Sequence, residues 1–342
     1  MAGFFDGGYY GVDLFFVISG YLITTILLKN PNRSFAEIYR TFVGRRALRI
    51  FPVYYALLLV LLVTDIKPAR EMILSLASYT FNYAAALRAR AGLENPLFYL
   101  WSLSVEEQFY LVWPLFVILL RWRTKSLFIF TFAIVLVGYA QLIFGIFPAF
   151  RPFDYTGLLN RMGSLGMGAL GAIYSLWKPL PSALFRDIKV EIAALITLAA
   201  ALGASSPVRF IFLGLVSLFL VLKAVHFEFL LTPLDRFLTS AGVVYIGAIS
   251  YGIYLFHVPV GIALTPHLVD PIWNGIPFEA FGPLEKLRWH SWMLKLPLYS
   301  VVTITIASAS FRFFERPILK FKTRWFDYKS VKNLPESLGA SH

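Results

Sequence analysis

Asp13, Glu106, Glu107 and His257 are ionisable residues set inside stretches that are otherwise apolar. A carboxylate held away from water can accept a proton from an attacking hydroxyl or orient an imidazole that does so. A histidine can act as that base directly. Glu106 and Glu107 follow Trp101, where an apolar run begins, by five and six residues. At 1.5 Å per residue this puts them roughly 8 Å below one membrane boundary, and His257 is about 10 Å from the end of its own run. Asp13 lies near the outer end of the first run, where that run begins, so the four share a depth band in the outer half and are expected to converge on one cavity. The alternative is separate satisfaction, with His257 bonded to a carbonyl that Pro259 frees. A second group is basic: Arg45, Arg46 and Arg49 are spaced i,i+3 and i,i+4 and can face one way on a helical turn. Arginine's planar fork binds phosphate through paired bonds, which suits a pyrophosphate or nucleotide phosphate at the membrane surface. Ordinary anchoring to anionic lipid is the competing use.

The elements that must position these groups are membrane spans. Of the 342 residues 58% are hydrophobic and only 15% charged, with mean hydropathy +0.69, which makes lipid the main solvent. Apolar runs of suitable length predict about nine spans, at 10–28, 50–64, 101–120, 127–147, 161–177, 190–204, 208–223, 243–264 and 292–310. The fold class is therefore all-α, a polytopic transmembrane helix bundle. Residues 1–310 read as one membrane domain and 311–342 as a basic amphipathic cytoplasmic tail interrupted at Pro317. If the spans alternate from an outside N-terminus, the inside segments hold 21 of the 31 Lys and Arg, which fits a cytoplasmic C-terminus. The net charge of +12 is then an orientation signal, not a nucleic-acid footprint, and membrane lipid is the expected partner. Without cysteine there is no thiol nucleophile or thiolate metal site, and no histidine pair has metal-ligand spacing.

Residues 72–87 are apolar but carry Ser75, Ser78, Thr80 and Asn82, and read as an interfacial or re-entrant helix. Gly166, Gly168 and Gly171 spell GxGxxG inside an apolar run, where close helix packing is the expected reason. His226, His267, His290 and His342 fall at span edges, in loops or in the tail and receive no role. Residues 1–28 contain no Lys or Arg, so no signal-peptide n-region is present. An outside start then calls for a further span upstream.

The motifs GGYYGVDLFFVISGYLI (7–23), RRALRIFPVYY (45–55), WSLSVEEQFYLVWPLF (101–116), IGAISYGIYLFHVP (246–259) and FRFFERPI (311–318) resemble, in this order and spacing, the membrane acyltransferase 3 family of O-antigen acetylase type. The resemblance implies a ten-span enzyme of the bacterial inner membrane. It would move an acyl group, usually acetyl, from cytoplasmic acyl-CoA to a hydroxyl of an extracytoplasmic glycan or glycolipid. Arg46 and Arg49 would match the family's acyl-CoA-binding Arg-x-x-Arg pair, with Arg45 beside them. Ser102, Ser104, Glu106 and Glu107 fall in its Ser/Glu motif. The family also carries an Arg and, about ten residues on, a catalytic His in its first span, with which nothing here aligns. Asp13 or Glu106 would orient that base. His257, the only histidine left within a span, belongs to a motif that is structural in the family but is the base candidate this sequence offers. The other readings are a glycan or lipid transporter and an inactive family member.

Overall fold

The computed structural model describes residues 8–29, 33–93, 95–153, 155–204, 206–276, 292–321 and 326. These residues are helical throughout, without strands. The long helices are α1 (Gly8–Leu28), α2 (Phe35–Val63), α3 (Trp101–Leu120), α4 (Thr124–Phe144), α5 (Leu158–Trp177), α6 (Ile188–Gly203), α7 (Arg209–His226), α8 (Ala241–Leu264) and α9 (Trp292–Ser310). They correspond one to one with the expected spans, and this is an all-α polytopic membrane bundle. Among the described residues, seven helices are long and apolar enough to cross a membrane. The other two are α6, with 16 residues, and α5, whose Asn160, Arg161, Ser164 and glycines dilute its apolar character. Those same residues are buried, because α5 packs between α1, α4 and α7. Lipid-facing positions are apolar: Leu119 is 68% and Val301 63% exposed.

Helix α2 corrects the sequence reading. The expected span began at residue 50, with 29–49 left between spans, but the helix starts at Phe35 and Pro52 is internal. Ser34 caps it by accepting a hydrogen bond from the Glu37 amide at 3.3 Å, the S-x-x-E start signal. Ile38 and Phe42 bury an apolar stripe ahead of the arginines. Arg45, Arg46 and Arg49 thus ride mid-helix, not in a connecting loop. Near Pro52, Tyr251 Oη donates to the Ile50 carbonyl at 3.0 Å.

Between α2 and α3 the chain makes short helices at Ile73–Ala77 and Phe81–Arg90, neither long enough to span. Tyr79, between them, has φ of +53°, a left-handed conformation that non-glycine residues adopt only when held there. Irregular backbone at membrane depth must find polar partners within the protein. Tyr54 donates to the Leu76 carbonyl at 3.0 Å and Tyr55 to that of Ala77 at 2.8 Å. Gln108 Nε2 donates to the Tyr79 carbonyl at 2.7 Å and to Asn82 Oδ1 at 2.9 Å. The break is therefore pinned to the second half of α2 and the first half of α3, as a re-entrant segment would be.

Glycines let α1 and α5 touch backbone to backbone. A Cβ at Gly168 would lie 1.9 Å from the Val17 carbonyl oxygen, and one at Gly20 1.9 Å from that of Leu165. The GxGxxG match is thus a packing seam. Gly168→Ala should cost about 1–3 kcal/mol or more of stability. Gly247→Ala, where nothing lies within 4 Å of the added carbon, should cost nothing in the same unfolding assay. Equal behaviour of the two variants would mean that the seam is looser than described.

Helix α9 does not stop at Ser310. It continues through Phe311–Glu315 and Arg316–Leu319, so the first residues assigned to the tail prolong the span. Of the rest, 322–325 and 327–342 lie outside the described residues.

Candidate functional site

The bundle centre holds a polar seam between α1, α2 and α3. Ser19 Oγ donates to Glu106 Oε1 at 2.8 Å and lies 2.9 Å from Tyr110 Oη. With the serine proton committed to the carboxylate, the tyrosine must donate to the serine oxygen. The Arg46 guanidinium lies over the Tyr110 ring at 4.6 Å and is attracted by both Glu106 and Glu107. Arg49 feels Glu106 and Glu315. Glu315 reaches this neighbourhood from the continuation of α9 and accepts from Ser310 Oγ at 3.1 Å. Glu106 and Glu107 are buried, Arg46 is half-buried and Arg49 exposed. The carboxylate pair and the arginines, read from the sequence as two separate groups, therefore adjoin.

A cavity of ≈ 90 Å³ opens beside them. Helix α2 contributes Val43, Arg46, Ala47 and Phe51. The re-entrant segment adds Ser78 and Tyr79, and α3 adds Glu107, Gln108, Tyr110 and Leu111. Glu107 and Arg46 have no hydrogen-bond partner among the described residues, and the buried Tyr79 hydroxyl is also unpartnered. A small guest with a carbonyl and a transferable proton would find a donor in Arg46 and an acceptor in Glu107.

His257 and Ser102 meet elsewhere, around two tyrosines. Tyr254 Oη donates to the Tyr99 carbonyl and lies 2.5 Å from Ser102 Oγ. Tyr99 Oη donates to the Leu255 carbonyl at 2.8 Å, the group that Pro259 frees four residues on. His257 instead places Nδ1 2.7 Å from the Tyr254 carbonyl. A carbonyl only accepts, so Nδ1 carries the proton and Nε2 keeps its lone pair in the neutral ring. The ring packs at 5.0 Å from Tyr99 and is exposed. Ser104 is fully buried and its hydroxyl is unpartnered among the described residues.

Asp13 forms a third site. Its Oδ1 accepts from Ser164 Oγ at 2.8 Å and from Arg161 Nη1 at 3.3 Å, with both charged side chains 1% exposed. Arg161 Nε donates to the Tyr155 carbonyl at 2.6 Å. The guanidinium sits 4.1 Å from the Tyr155 ring, 5.1 Å from Phe210 and 5.4 Å from Trp101. The expected convergence of four ionisable groups thus resolves into three clusters, of which one unites Glu106 and Glu107 with Arg46 and Arg49. Asp13 pairs with Arg161 because the glycine seam brings α5 against α1 at that level. Sequence reasoning missed Arg161, Ser19, Tyr110 and Gln108. Arg161 had a signal: it has no acid within a turn on its own helix, so a buried arginine there needs a partner from another helix.

Arg45 turns away from the seam, donating from Nε to the Phe326 carbonyl at 2.5 Å. The Phe326 ring covers Gly44 so closely that a Cβ there would fall 2.3 Å from it. Of the three arginines, only Arg46 lines the cavity.

The family profile described as "Acyltransferase domain" matches residues 3–312. Peptidoglycan O-acetyltransferase OatA of Listeria monocytogenes is 29% identical over 92% of this chain and 52% of its own length. The putative peptidoglycan O-acetyltransferase YrhL of Bacillus subtilis is 29% identical over 92% of this chain and 51% of its own. O-acetyltransferase OatA of Staphylococcus aureus is 28% identical over 99% and 56%. The chain spans about half the length of the curated relatives it matches. No solved structure matches it. With the profile covering nearly every described helix, the chain belongs to the acyltransferase 3 family of membrane proteins.

Proposed function

We propose that this protein is an O-acyltransferase of the bacterial plasma membrane. It takes an acetyl group from acetyl-CoA at the cytoplasmic face and esterifies a hydroxyl of an extracytoplasmic glycan. Peptidoglycan is the acceptor that the names of the relatives favour. The observation that carries this reading is the cavity whose walls include Arg46, from the basic half of α2, and Tyr79, from the segment between α2 and α3. Substrates arriving from opposite sides would meet there.

In this reading Arg49 and Arg45 attract the CoA phosphates, and Arg46 donates to the thioester carbonyl oxygen as it becomes an oxyanion. Glu107 takes the proton of the attacking hydroxyl. The C–S bond breaks as the ester forms, and the proton held by Glu107 is returned to the departing thiolate, so CoA leaves as the thiol. Glu106, fixed by Ser19, holds the Arg46 guanidinium in place without itself reaching the guest. No metal takes part in this scheme.

The test uses inside-out membrane vesicles enclosing soluble peptidoglycan fragments, with radiolabelled acetyl-CoA added outside. Labelled ester on the enclosed fragments, lost on mild alkali, is the expected result. Labelled acetyl-CoA or fragments crossing intact would favour a transporter. Binding of acetyl-CoA without any ester would favour an inactive chain. Arg46→Ala and Arg49→Ala should each weaken acetyl-CoA binding about ten- to a hundredfold, the worth of a charge-assisted bond. Lys should restore only part, since it keeps the charge and loses the fork.

A further inference from the structure

The continuation of α9 buries a residue that packing alone would not choose. Thr303 and Ala307 are buried on α9, and in an unbroken helix their face continues to Phe311 and Phe314. Instead Phe314 is 42% exposed and Glu315 only 7%. A wide turn over Phe311–Glu315 makes the change. The Arg316 amide donates to the Phe311 carbonyl, one residue farther back than in an α-helix, which retards the helix by one residue, or about 100°. Pro317, in the next turn, accounts for the wide turn's position: in an unbroken helix its ring would press on the carbonyl four residues back, and it has no amide to offer that group. Across 311–320 Glu315 is the one buried residue, while Arg312 and Arg316 are exposed. Turning a carboxylate inward at the end of a span costs free energy unless a cation offsets it.

The cation is Arg49. The residues 311–319 pack against α2, and there Glu315 attracts Arg49. Arg49 is exposed, and among the described residues no hydrogen bond or ion pair holds its long side chain. Its neighbour Arg46 repels it, while Glu106 from α3 and Glu315 from beyond α9 attract it. We infer that Glu315 is a positioning residue for Arg49, aimed by the wide turn so that the guanidinium is already in place when a phosphate arrives. The inference rests on the acyl-CoA reading above and adds a residue to that same site. Ser310 Oγ, donating to Glu315 Oε1 at 3.1 Å, fixes the carboxylate in turn. The sign of the effect separates positioning from the bare field. An acid beside a phosphate site weakens anion binding through its charge alone, whereas an acid that orders Arg49 beforehand strengthens binding by the ordering cost it removes.

The experiment measures acetyl-CoA binding to the full chain in nanodiscs for wild type, Glu315→Gln, Arg49→Ala and the double variant, beside a thermal-unfolding control. Glu315→Gln should weaken binding about three- to tenfold, the cost of ordering one long side chain on binding, although it makes the protein more positive. Glu315→Asp, which keeps the charge, should restore part of the loss. In the Arg49→Ala background Glu315→Gln should change binding by less than about twofold, because neighbours in one network do not add. Should Glu315→Gln fail to fold, Ser310→Ala frees the carboxylate without altering its charge and should give a smaller loss that also vanishes with Arg49→Ala. Equal or tighter binding by folded Glu315→Gln, or the same loss with and without Arg49, would overturn the positioning role and leave the donor assignment intact. A wild type that binds no acetyl-CoA would remove the donor assignment, and this role with it.

Discussion

Glu107→Gln should cut acetyl transfer by about 10²–10⁴-fold, the usual contribution of a positioned general base, while acetyl-CoA still binds. The amide keeps the side chain's size and polarity, so the cavity that Glu107 lines is preserved and only the proton acceptor is lost. Single-turnover ester formation, measured with saturating acetyl-CoA, separates that step from binding. Glu106→Gln should act differently. It weakens the hold on Arg46 and so should lower acetyl-CoA affinity together with the rate. His257→Asn serves as the internal control, because its imidazole packs against Tyr99 and not in the cavity. If His257→Asn lost as much as Glu107→Gln, or if Glu107→Gln retained activity within a few-fold, the base role would pass to the free Nε2 of His257.

The second large effect is on stability. Arg161→Met leaves Asp13 buried without its counter-ion, which should cost about 3–5 kcal/mol. The Tyr155 carbonyl would lose its donor as well. The double variant Asp13→Leu with Arg161→Met removes both charges and should regain much of the loss, since an uncharged replacement for a buried pair is often neutral. Unfolding in mixed detergent micelles gives the comparison. If the double variant were as unstable as the single, the aromatic packing of Arg161, not its charge, would be the stabilising contribution.

The helices were legible from the sequence because apolar runs of spanning length have few other solutions: α3 starts and ends at the predicted residues, and α9 starts at its predicted one. The basic half of α2 was not read as helix, because a run rich in arginine beside a span looks like an anchoring loop. Its capping serine and the spacing of Phe35, Ile38 and Phe42 were the signals that outweigh that appearance. Depth arithmetic grouped Asp13, Glu106, Glu107 and His257, but depth is one coordinate of three, and the azimuth of each side chain depends on which helices are neighbours. The α1–α5 glycine seam decides that neighbourhood for Asp13, and Pro259 with Tyr99 decides it for His257. The Arg46–Glu107 cavity was out of reach for the same reason: its third wall is a re-entrant turn held by side chains of α2 and α3.

The Asp13–Arg161 pair also bears on biogenesis. A charged residue costs about 2.5–3.5 kcal/mol at the centre of an inserting helix, and less nearer its ends. Each of the two helices therefore enters the bilayer with a penalty that only the other relieves. The partners are 148 residues apart, and at about 5–20 residues per second of synthesis Asp13 waits on the order of ten seconds for its counter-ion. Over that interval α1 has every reason to linger beside the insertion machinery, where its carboxylate can stay hydrated, instead of diffusing into lipid. Arrival of α5 would release both, coupling the insertion of α1 to that of α5 across the helices between them.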